Sequence, residues 1–164
     1  MRYISIIPLF SFVAFWCYPA ISDFTGESGL PLPRFVSLRS DEVNVRTGPG
    51  VRYPILWIFV RQGLPVEVIA EFELWRKIQD IDGAEGWLHR SMISGDRTAI
   101  IVEGRQRVLR NPKKDSIPIL VAESGVQAEL LRCQDSWCKL LIEGLRGWIE
   151  QKYLWGVYPG EVIP

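Results

Sequence analysis

The sequence is poor in the side chains that enzymes and metal proteins place at reactive centres. It contains one histidine, His89, and three cysteines in 164 residues. His89 lies in the segment WLHRS, where no serine, cysteine or acid stands at the spacing of a catalytic motif. A zinc site needs four ligands, and His89 belongs to a different segment from Cys133 and Cys138. We therefore predict a non-catalytic protein without a metal or cofactor.

The chain also lacks an excess of charge of either sign. Lysine plus arginine and aspartate plus glutamate each number 19, and no long run of one sign occurs. Proteins that bind nucleic acids usually carry a basic patch that neutralises phosphates, so nucleic acid is excluded as the expected partner. No glycine-rich phosphate-binding motif followed by a helix is present either, which argues against a nucleotide site.

The first 22 residues have the layout of a secretory signal peptide. Arg2 is followed by a mostly apolar run over residues 4–18 and then by the small-x-small pattern Ala20-Ile21-Ser22. The run is shorter than the roughly 20 apolar residues of a spanning helix. We predict cleavage after Ser22 and a periplasmic or secreted mature protein, which contacts the membrane only through the leader if the leader is uncleaved.

Two cysteines remain after the leader, in the segment LLRCQDSWCKLL. Export places Cys133 and Cys138 in an oxidising compartment, where disulfide bonds persist. The four residues between them separate two apolar, strand-like runs, so the cysteines are expected to face each other near the end of a hairpin. This spacing favours a disulfide bond over free thiols.

The sequence repeats itself after about 60 residues. Gly63 lies twelve residues before Trp75, and Gly125 lies twelve residues before Trp137. The pair Gly86-Trp87 likewise recurs as Gly147-Trp148 near the end of each unit. Many anchors in the same order indicate a duplicated domain.

Each unit has the pattern of short strands, because no apolar period of 3.6 residues extends over a helical length. Strands are predicted in the first unit at residues 35–38, 43–46, 55–59, 65–72, 75–81 and 86–88. Asp82-Gly83 indicates a tight hairpin, and residues 90–94 and 152–155 are each expected to form one closing turn of helix. Strands this short favour a small barrel, because closure removes exposed edges. The predicted fold class is all-β, with two tandem barrels.

The first unit contains VNVRTGPGVRYPIL, then the tryptophan at position 75, and then EGWLHRSMISG. These three segments resemble the bacterial SH3-like (SH3b) domain family. SWCKLL, RGWIEQKYLWG and the ending GVYPGE of the second unit resemble a degenerate copy of the same domain. The resemblance runs from about Phe35 to Glu161 and implies two SH3-like β-barrels outside the cytoplasm. It also implies a non-catalytic attachment role, often to cell-wall peptides or peptidoglycan.

The resulting domain organisation has five parts. These are a signal peptide at 1–22, a linker at 23–34, a first SH3-like domain at 35–96, a second, degenerate and disulfide-bonded domain at 97–157, and a tail at 158–164. The expected partner is a cell-wall peptide or peptidoglycan. The alternative is a structural or interaction protein that binds another envelope protein without affinity for the wall. Under that alternative, residues 157–164 are a candidate docking strand.

Candidate ligand-binding residues surround the GPG loop of the first unit. Val43 and Val45 are expected to face the core, which places Asn44 and Arg46 on the opposite face. Arginine and asparagine beside aromatic rings can bind the carbonyls or a carboxylate of an extended peptide. The predicted groove comprises Asn44, Arg46, Gly48, Gly50, Tyr53, Trp57 and Trp87. The alternative is that the glycines serve only the turn.

The second unit departs from this pattern. Val108 stands in the place of Asn44, and residues 111–114 replace the glycine-rich loop, although Arg110 remains. Binding is therefore expected mainly in the first domain, with the second as a brace. The repeated tryptophans at 75 and 137 and at 87 and 148 favour packing roles, whereas Trp57 and Trp155 lack counterparts and are freer to make surface or inter-domain contacts.

Overall fold

A computed structural model gives the structure of residues 24–164; the predicted signal peptide and its cleavage site lie outside these described residues. Within this range the fold is nearly all β, and the helical segments are two single 3-10 turns. No helix in the described part is long and apolar enough to cross a bilayer. The prediction of an all-β protein with two tandem SH3-like barrels is confirmed.

The N-terminal segment forms a two-stranded ribbon, and the first barrel follows it. The ribbon consists of β1 (Phe24–Thr25) and β2 (Pro31–Leu32). The barrel consists of β3 (Arg34–Leu38), β4 (Val43–Arg46), β5 (Ile55–Phe59), β6 (Pro65–Phe72), β7 (Trp75–Gln79), β8 (Glu85–His89), a 3-10 turn (Arg90–Met92) and β9 (Ile93–Ser94). Its strands are hydrogen-bonded in the order β5-β4-β8-β7-β6-β3-β9.

The second barrel repeats this topology strand for strand. It consists of β10 (Thr98–Ile101), β11 (Arg105–Leu109), β12 (Pro118–Glu123), β13 (Gln127–Gln134), β14 (Trp137–Ile142), β15 (Leu145–Glu150), a 3-10 turn (Gln151–Tyr153) and β16 (Leu154–Trp155). The spatial order β12-β11-β15-β14-β13-β10-β16 is the order of the first barrel with equivalent strands exchanged. The sequence repeat therefore corresponds to a structural repeat.

Each barrel encloses its own apolar core, built from one side of each strand. On β4, Val43 and Val45 are fully buried, and Asn44 and Arg46 between them are only partly buried, as the alternation predicts. The N-terminal ribbon adds Leu32 to the core of the first barrel. The segment predicted as a linker is therefore packed against the domain that follows it.

Glycines 86 and 147 lie where β8 pairs with β4 and where β15 pairs with β11. A Cβ atom on Gly86 would overlap the Val45 side chain and approach the Arg46 carbonyl oxygen to 3.2 Å. A Cβ atom on Gly147 would lie 2.5 Å from Val108 Cγ1, so Val108 is the counterpart of Val45. The glycine of the repeated Gly-Trp pair thus has a steric cause, because the neighbouring strand leaves no room for an inward-facing side chain at this position. The prediction that Val108 stands in the place of Asn44, with Arg110 retained, is therefore wrong by one residue, because Leu109 pairs with Trp148 as Arg46 pairs with Trp87.

The predicted disulfide bond between Cys133 and Cys138 is present, and both residues are fully buried. The two cysteines face each other in the ladder between β13 and β14. Ile163 exchanges two backbone hydrogen bonds with Cys133, at 2.9 and 3.0 Å. The end of the tail is therefore fixed to the second barrel.

The tail also contacts the first barrel. The Tyr158 hydroxyl donates to Glu67 at 2.6 Å, and the Tyr158 ring lies 4.7 Å from the Phe35 ring. Trp155 meets Phe35 edge to face at 5.0 Å, which is the inter-domain contact that its lack of a counterpart suggested. The tail is thus packed within the chain instead of extending as a docking strand.

We expect Gly86→Ala to lower the free energy of unfolding by about 1–3 kcal/mol, because the added methyl group overpacks the core at Val45. Denaturation followed by tryptophan fluorescence measures this loss. The matched control is Gly95→Ala, where nothing lies within 4 Å of the added carbon. The control should change stability by less than about 0.5 kcal/mol. A Gly86→Ala variant as stable as the wild type would mean that the core beside Val45 can accommodate a methyl group without strain.

Candidate functional site

A cleft of about 590 Å³ opens between the GPG loop and the β6–β7 hairpin of the first barrel. The loop contributes Pro49, Gly50, Val51 and Arg52; the hairpin contributes Phe72, Glu73, Leu74 and Trp75; and His89 completes the lining. Three apolar side chains in it are well exposed: Val51 at 80%, Phe72 at 46% and Leu74 at 45%. Accessible apolar side chains beside an arginine and a histidine can contact both the apolar and the polar groups of a ligand.

The GPG loop is held in shape by Arg46 and Tyr53. The Arg46 guanidinium donates to the carbonyl oxygens of Val51 at 3.2 Å and Tyr53 at 2.8 Å. A Cβ atom on Gly48 would lie 2.6 Å from the Tyr53 ring, and one on Gly50 would lie 3.3 Å from it. Neither glycine has a positive φ. The close approach of the Tyr53 ring requires glycine at position 48 and leaves little space at position 50, and this approach sets the shape of the loop.

The seven residues predicted for the groove separate into four groups. Gly50 lines the cleft, whereas Arg46, Gly48 and Tyr53 shape the loop behind it. Asn44 lies on the outer face of the sheet opposite Ile58, and Trp87 lies on that face opposite Arg46. Trp57 lies opposite Val45 on the inner face and packs against the core. The structure therefore brings part of the predicted set to the cleft and leaves Asn44, Trp57 and Trp87 outside it.

Most of the cleft lining was missed by the sequence analysis. Phe72, Leu74 and Trp75 lie in the segment EFELWR, where a tight turn at Glu73 with φ of 48° joins β6 to β7. Turn regions are usually polar, so apolar residues on both sides of a turn are the signal that marks this hairpin as exposed for contact. Trp75, predicted to pack because of its counterpart Trp137, is partly buried with its ring 5.5 Å from that of His89, and it also lines the cleft.

The histidine in the cleft has a defined hydrogen-bonding state. Its Nδ1 accepts from the Ser91 backbone N–H at 3.3 Å and lies 2.7 Å from the Ser91 hydroxyl. The neutral ring therefore carries its proton on Nε2, which is left to donate to a ligand. Arg52 stacks on the Tyr53 ring at 5.3 Å, and this contact restricts its guanidinium to the loop side of the cleft.

The hairpin wall of the cleft rests on the buried carboxylate of Glu71, whose side chain is 1% exposed. It accepts from Ser28 N and Ser28 Oγ, both at 2.7 Å, from Arg34 at 2.7 Å and from Arg76 Nε at 3.1 Å. Burial alone would raise the pKa of Glu71, but the bonds from Ser28 and Arg34 and the charge of Arg76 hold it below the ordinary value near 4.5. The N-terminal segment is thereby tied to the base of the hairpin.

The corresponding region of the second barrel offers much less space. Its cavity measures about 150 Å³ and is lined in part by Lys114, Trp137 and Tyr153. The loop here is NPKKDS, without glycine, and Lys114 extends into the lining. Across residues 24–164, no group of three or more His, Cys, Asp or Glu side chains is placed to hold a metal ion.

Comparison with known proteins identifies relatives for both barrels. The bacterial SH3 domain family matches residues 39–95 and again residues 102–156. The chain is 24% identical over 148 residues to YrvJ of Bacillus subtilis (strain 168), named as a candidate N-acetylmuramoyl-L-alanine amidase. That match covers 84% of this chain and 27% of YrvJ, so the chain spans about a quarter of that protein.

Two solved structures are more distant. NlpC1 from Trichomonas vaginalis is 12% identical, with a TM-score of 0.35 over 74% of this chain and 45% of that one. An NlpC/P60 family protein from Bacillus cereus ATCC 10987 is 10% identical, with a TM-score of 0.34 over 73% of this chain and 55% of that one. At these TM-scores the likeness supports no conclusion about this chain.

We expect Glu71→Gln to lower the free energy of unfolding by about 3 kcal/mol at pH 7, because it leaves Arg34 and Arg76 without their carboxylate. The lowered pKa of Glu71 means that its contribution is complete above about pH 4.5 and is lost as the pH falls through the folded-state value. The difference between wild type and variant, measured by denaturation at pH 7 and pH 3, should therefore shrink in acid.

Hydrogen exchange should also rise over residues 26–33 in this variant, because Ser28 loses its charged acceptor. Glu42→Gln, at an exposed acid whose carboxylate makes no hydrogen bond in the described part, is the matched control and should change neither property. A difference that stays constant between pH 7 and pH 3 would contradict the role of the Glu71 charge.

Proposed function

The chain belongs to the bacterial SH3 domain family over both of its repeats, and we propose that it is an exported, non-catalytic protein that binds a cell-wall peptide or peptidoglycan through its first barrel. The observation that carries the proposal is the cleft of about 590 Å³ beside the GPG loop, against about 150 Å³ at the equivalent place in the second barrel. Export is proposed from the predicted signal peptide.

The cleft suits an extended peptide with a carboxylate. Phe72 and Leu74 offer exposed apolar area on one wall, and Val51 offers it on the other. The Arg52 guanidinium is available for a carboxylate, and the His89 Nε2–H is available for a backbone carbonyl. Aromatic and arginine side chains commonly dominate the binding energy of such surfaces. Asn44 and Trp87, on the neighbouring outer face, would extend the contact for a longer ligand.

The similarity to YrvJ supports a muramoyl peptide as the class of ligand. By its name, YrvJ acts on N-acetylmuramoyl-L-alanine, so a muramoyl peptide is a reasonable ligand for a domain that the two proteins share. The amidase activity is not proposed for this chain, which matches 27% of that protein.

A second candidate function is binding of another envelope protein, and the edge strand β5 favours it. β5 is the outermost strand of its sheet, and Ile55, Leu56 and Ile58 on it are 46%, 49% and 45% exposed. Val60, just beyond the strand, is 79% exposed. Edge strands with apolar side chains pair readily with strands of other chains.

Co-sedimentation with purified peptidoglycan tests the first proposal. We expect the double variant Phe72→Ser/Leu74→Ser to bind at least about tenfold more weakly, because it removes the apolar wall of the cleft. Ile55→Ser/Ile58→Ser is the matched control, since its residues are 46% and 45% exposed, against 46% and 45% for Phe72 and Leu74. The control should bind as the wild type does.

The same pair of variants separates the two candidate functions. If the β5 variant loses binding and the cleft variant keeps it, the outer face next to Asn44 and Arg46 is the contact surface instead. If the wild type does not sediment with peptidoglycan and crosslinking in intact cells gives a discrete heavier band that the β5 variant abolishes, the protein partner replaces the wall as the proposed ligand.

A further inference from the structure

A second cavity, of about 490 Å³, lies where the two barrels meet the tail. Phe35 and Glu67 line it from the first barrel, and Trp155 and Tyr158 line it from the second barrel and the tail. It is separate from the cleft beside the GPG loop, with which it shares no lining residue. Ligand sites often form at junctions between domains, and this volume is typical of them.

Three aromatic rings meet at this cavity. Phe35 is the central ring, with Trp155 at 5.0 Å in an edge-to-face arrangement and Tyr158 at 4.7 Å in a tilted one. Phe35 is 7% exposed, whereas Trp155 and Tyr158 are only half-buried. The last two rings therefore present surface to a ligand, and the negative face of an aromatic ring attracts cations.

The charges around the cavity are balanced except at Glu67. Glu161 forms a two-point ion pair with Arg97, at 2.6 and 3.0 Å, and Glu150 pairs with Lys152 at 2.8 Å. Glu67 accepts the Tyr158 hydroxyl at 2.6 Å, and no lysine, arginine or histidine of the described residues lies within 4.0 Å of it. One carboxylate beside the rings is thus left without a cationic partner.

Two further observations fit this picture. Burial raises the pKa of Tyr158, and the hydrogen bond to Glu67 and the negative charges of Glu67 and Glu161 raise it further against the opposing charge of Arg97, so the phenol stays protonated and donates to Glu67. The Trp155 Nε1–H is buried and has no hydrogen-bond acceptor in the protein. Because this nitrogen is shielded from solvent, it does not itself contact a ligand, but its resonance reports changes around the neighbouring ring surface.

We propose that this junction cavity binds an aliphatic ammonium group of a peptide, such as a lysine-type side chain. The ammonium pairs with Glu67, and the carbon stem lies against the exposed parts of the Trp155 and Tyr158 rings. Because the ligand touches both barrels, its binding also strengthens their association. The site does not depend on the function proposed for the cleft of the first barrel.

The probe is Nα-acetyl-L-lysine methylamide, and its matched control is Nα-acetyl-L-norleucine methylamide, which has the same stem without the ammonium. The readout is the indole N–H resonance of Trp155 in a ¹H–¹⁵N spectrum, assigned by its disappearance in Trp155→Phe. We expect a saturable shift of this resonance with the lysine probe, because the ammonium and its stem then lie against the indole ring. Binding of the norleucine probe should be at least about tenfold weaker.

Glu67→Gln keeps an acceptor for the Tyr158 hydroxyl and removes the charge, so it should weaken the lysine probe by about tenfold or more. Glu42→Gln is the matched control and should leave the affinity unchanged. Equal affinity of the two probes for the wild type, or no shift at Trp155, would overturn the proposal. A response at the Trp75 indole alone would also overturn it and would place the probe in the cleft. The comparison of probes needs only the wild-type protein, so it stands even if a variant fails to fold.

Discussion

Both barrels depend on one steric constraint, which is the close contact of a glycine with the neighbouring paired strand. β8 reaches β4 only at the pair Arg46 and Trp87, and the residue before Trp87 must be glycine because Val45 fills the space beneath it. The same contact recurs between Gly147 and Val108 in the second barrel. With Val45 fixed inside, Arg46 is forced outward, where its guanidinium reaches the carbonyls of the GPG loop. The shape of that loop therefore follows from the closure of the barrel.

The opposite wall of the cleft depends on residues that precede the barrel in sequence. The buried Glu71 carboxylate holds both the N-terminal segment, through Ser28, and the base of the β6–β7 hairpin, through Arg76. Glu27 adds a second tie, since its carboxylate accepts from the backbone N–H of Glu73 at the hairpin turn. These bonds fix the hairpin at a position where the burial of a charge is compensated by four donor groups from three residues. Exposed apolar side chains on the hairpin can thus be presented by a rigid support.

The strands could be predicted because each is short, alternates in polarity and is bounded by turn residues. The predicted strand 75–81 ends at Gln79 in the structure because the Asp80 carboxylate accepts from the N–H groups of Asp82 and Ala84 and starts the turn early. The site was harder to predict. Asn44 and Arg46 do share a face, as predicted, but the extra residue at the bulge between Val45 and Arg46 alters the phase of β5. The meeting of the GPG loop with the β6–β7 hairpin depends on long-range pairing, which local patterns do not contain.

The two copies have diverged in complementary ways. In the second barrel, Lys114 lines the small cavity at the place where the first barrel has an open cleft. Because no open cleft is kept there, the loop that carries Lys114 does not need to be rich in glycine. The same barrel gains Trp155 and the tail with Tyr158, neither of which has a counterpart in the first, and these residues form the junction with Phe35. A small barrel buries a limited fraction of its surface and is marginal alone. Packing an aromatic cluster between the copies offsets this limit, and the Arg97–Glu161 pair fixes the tail that supplies Tyr158 to the second barrel.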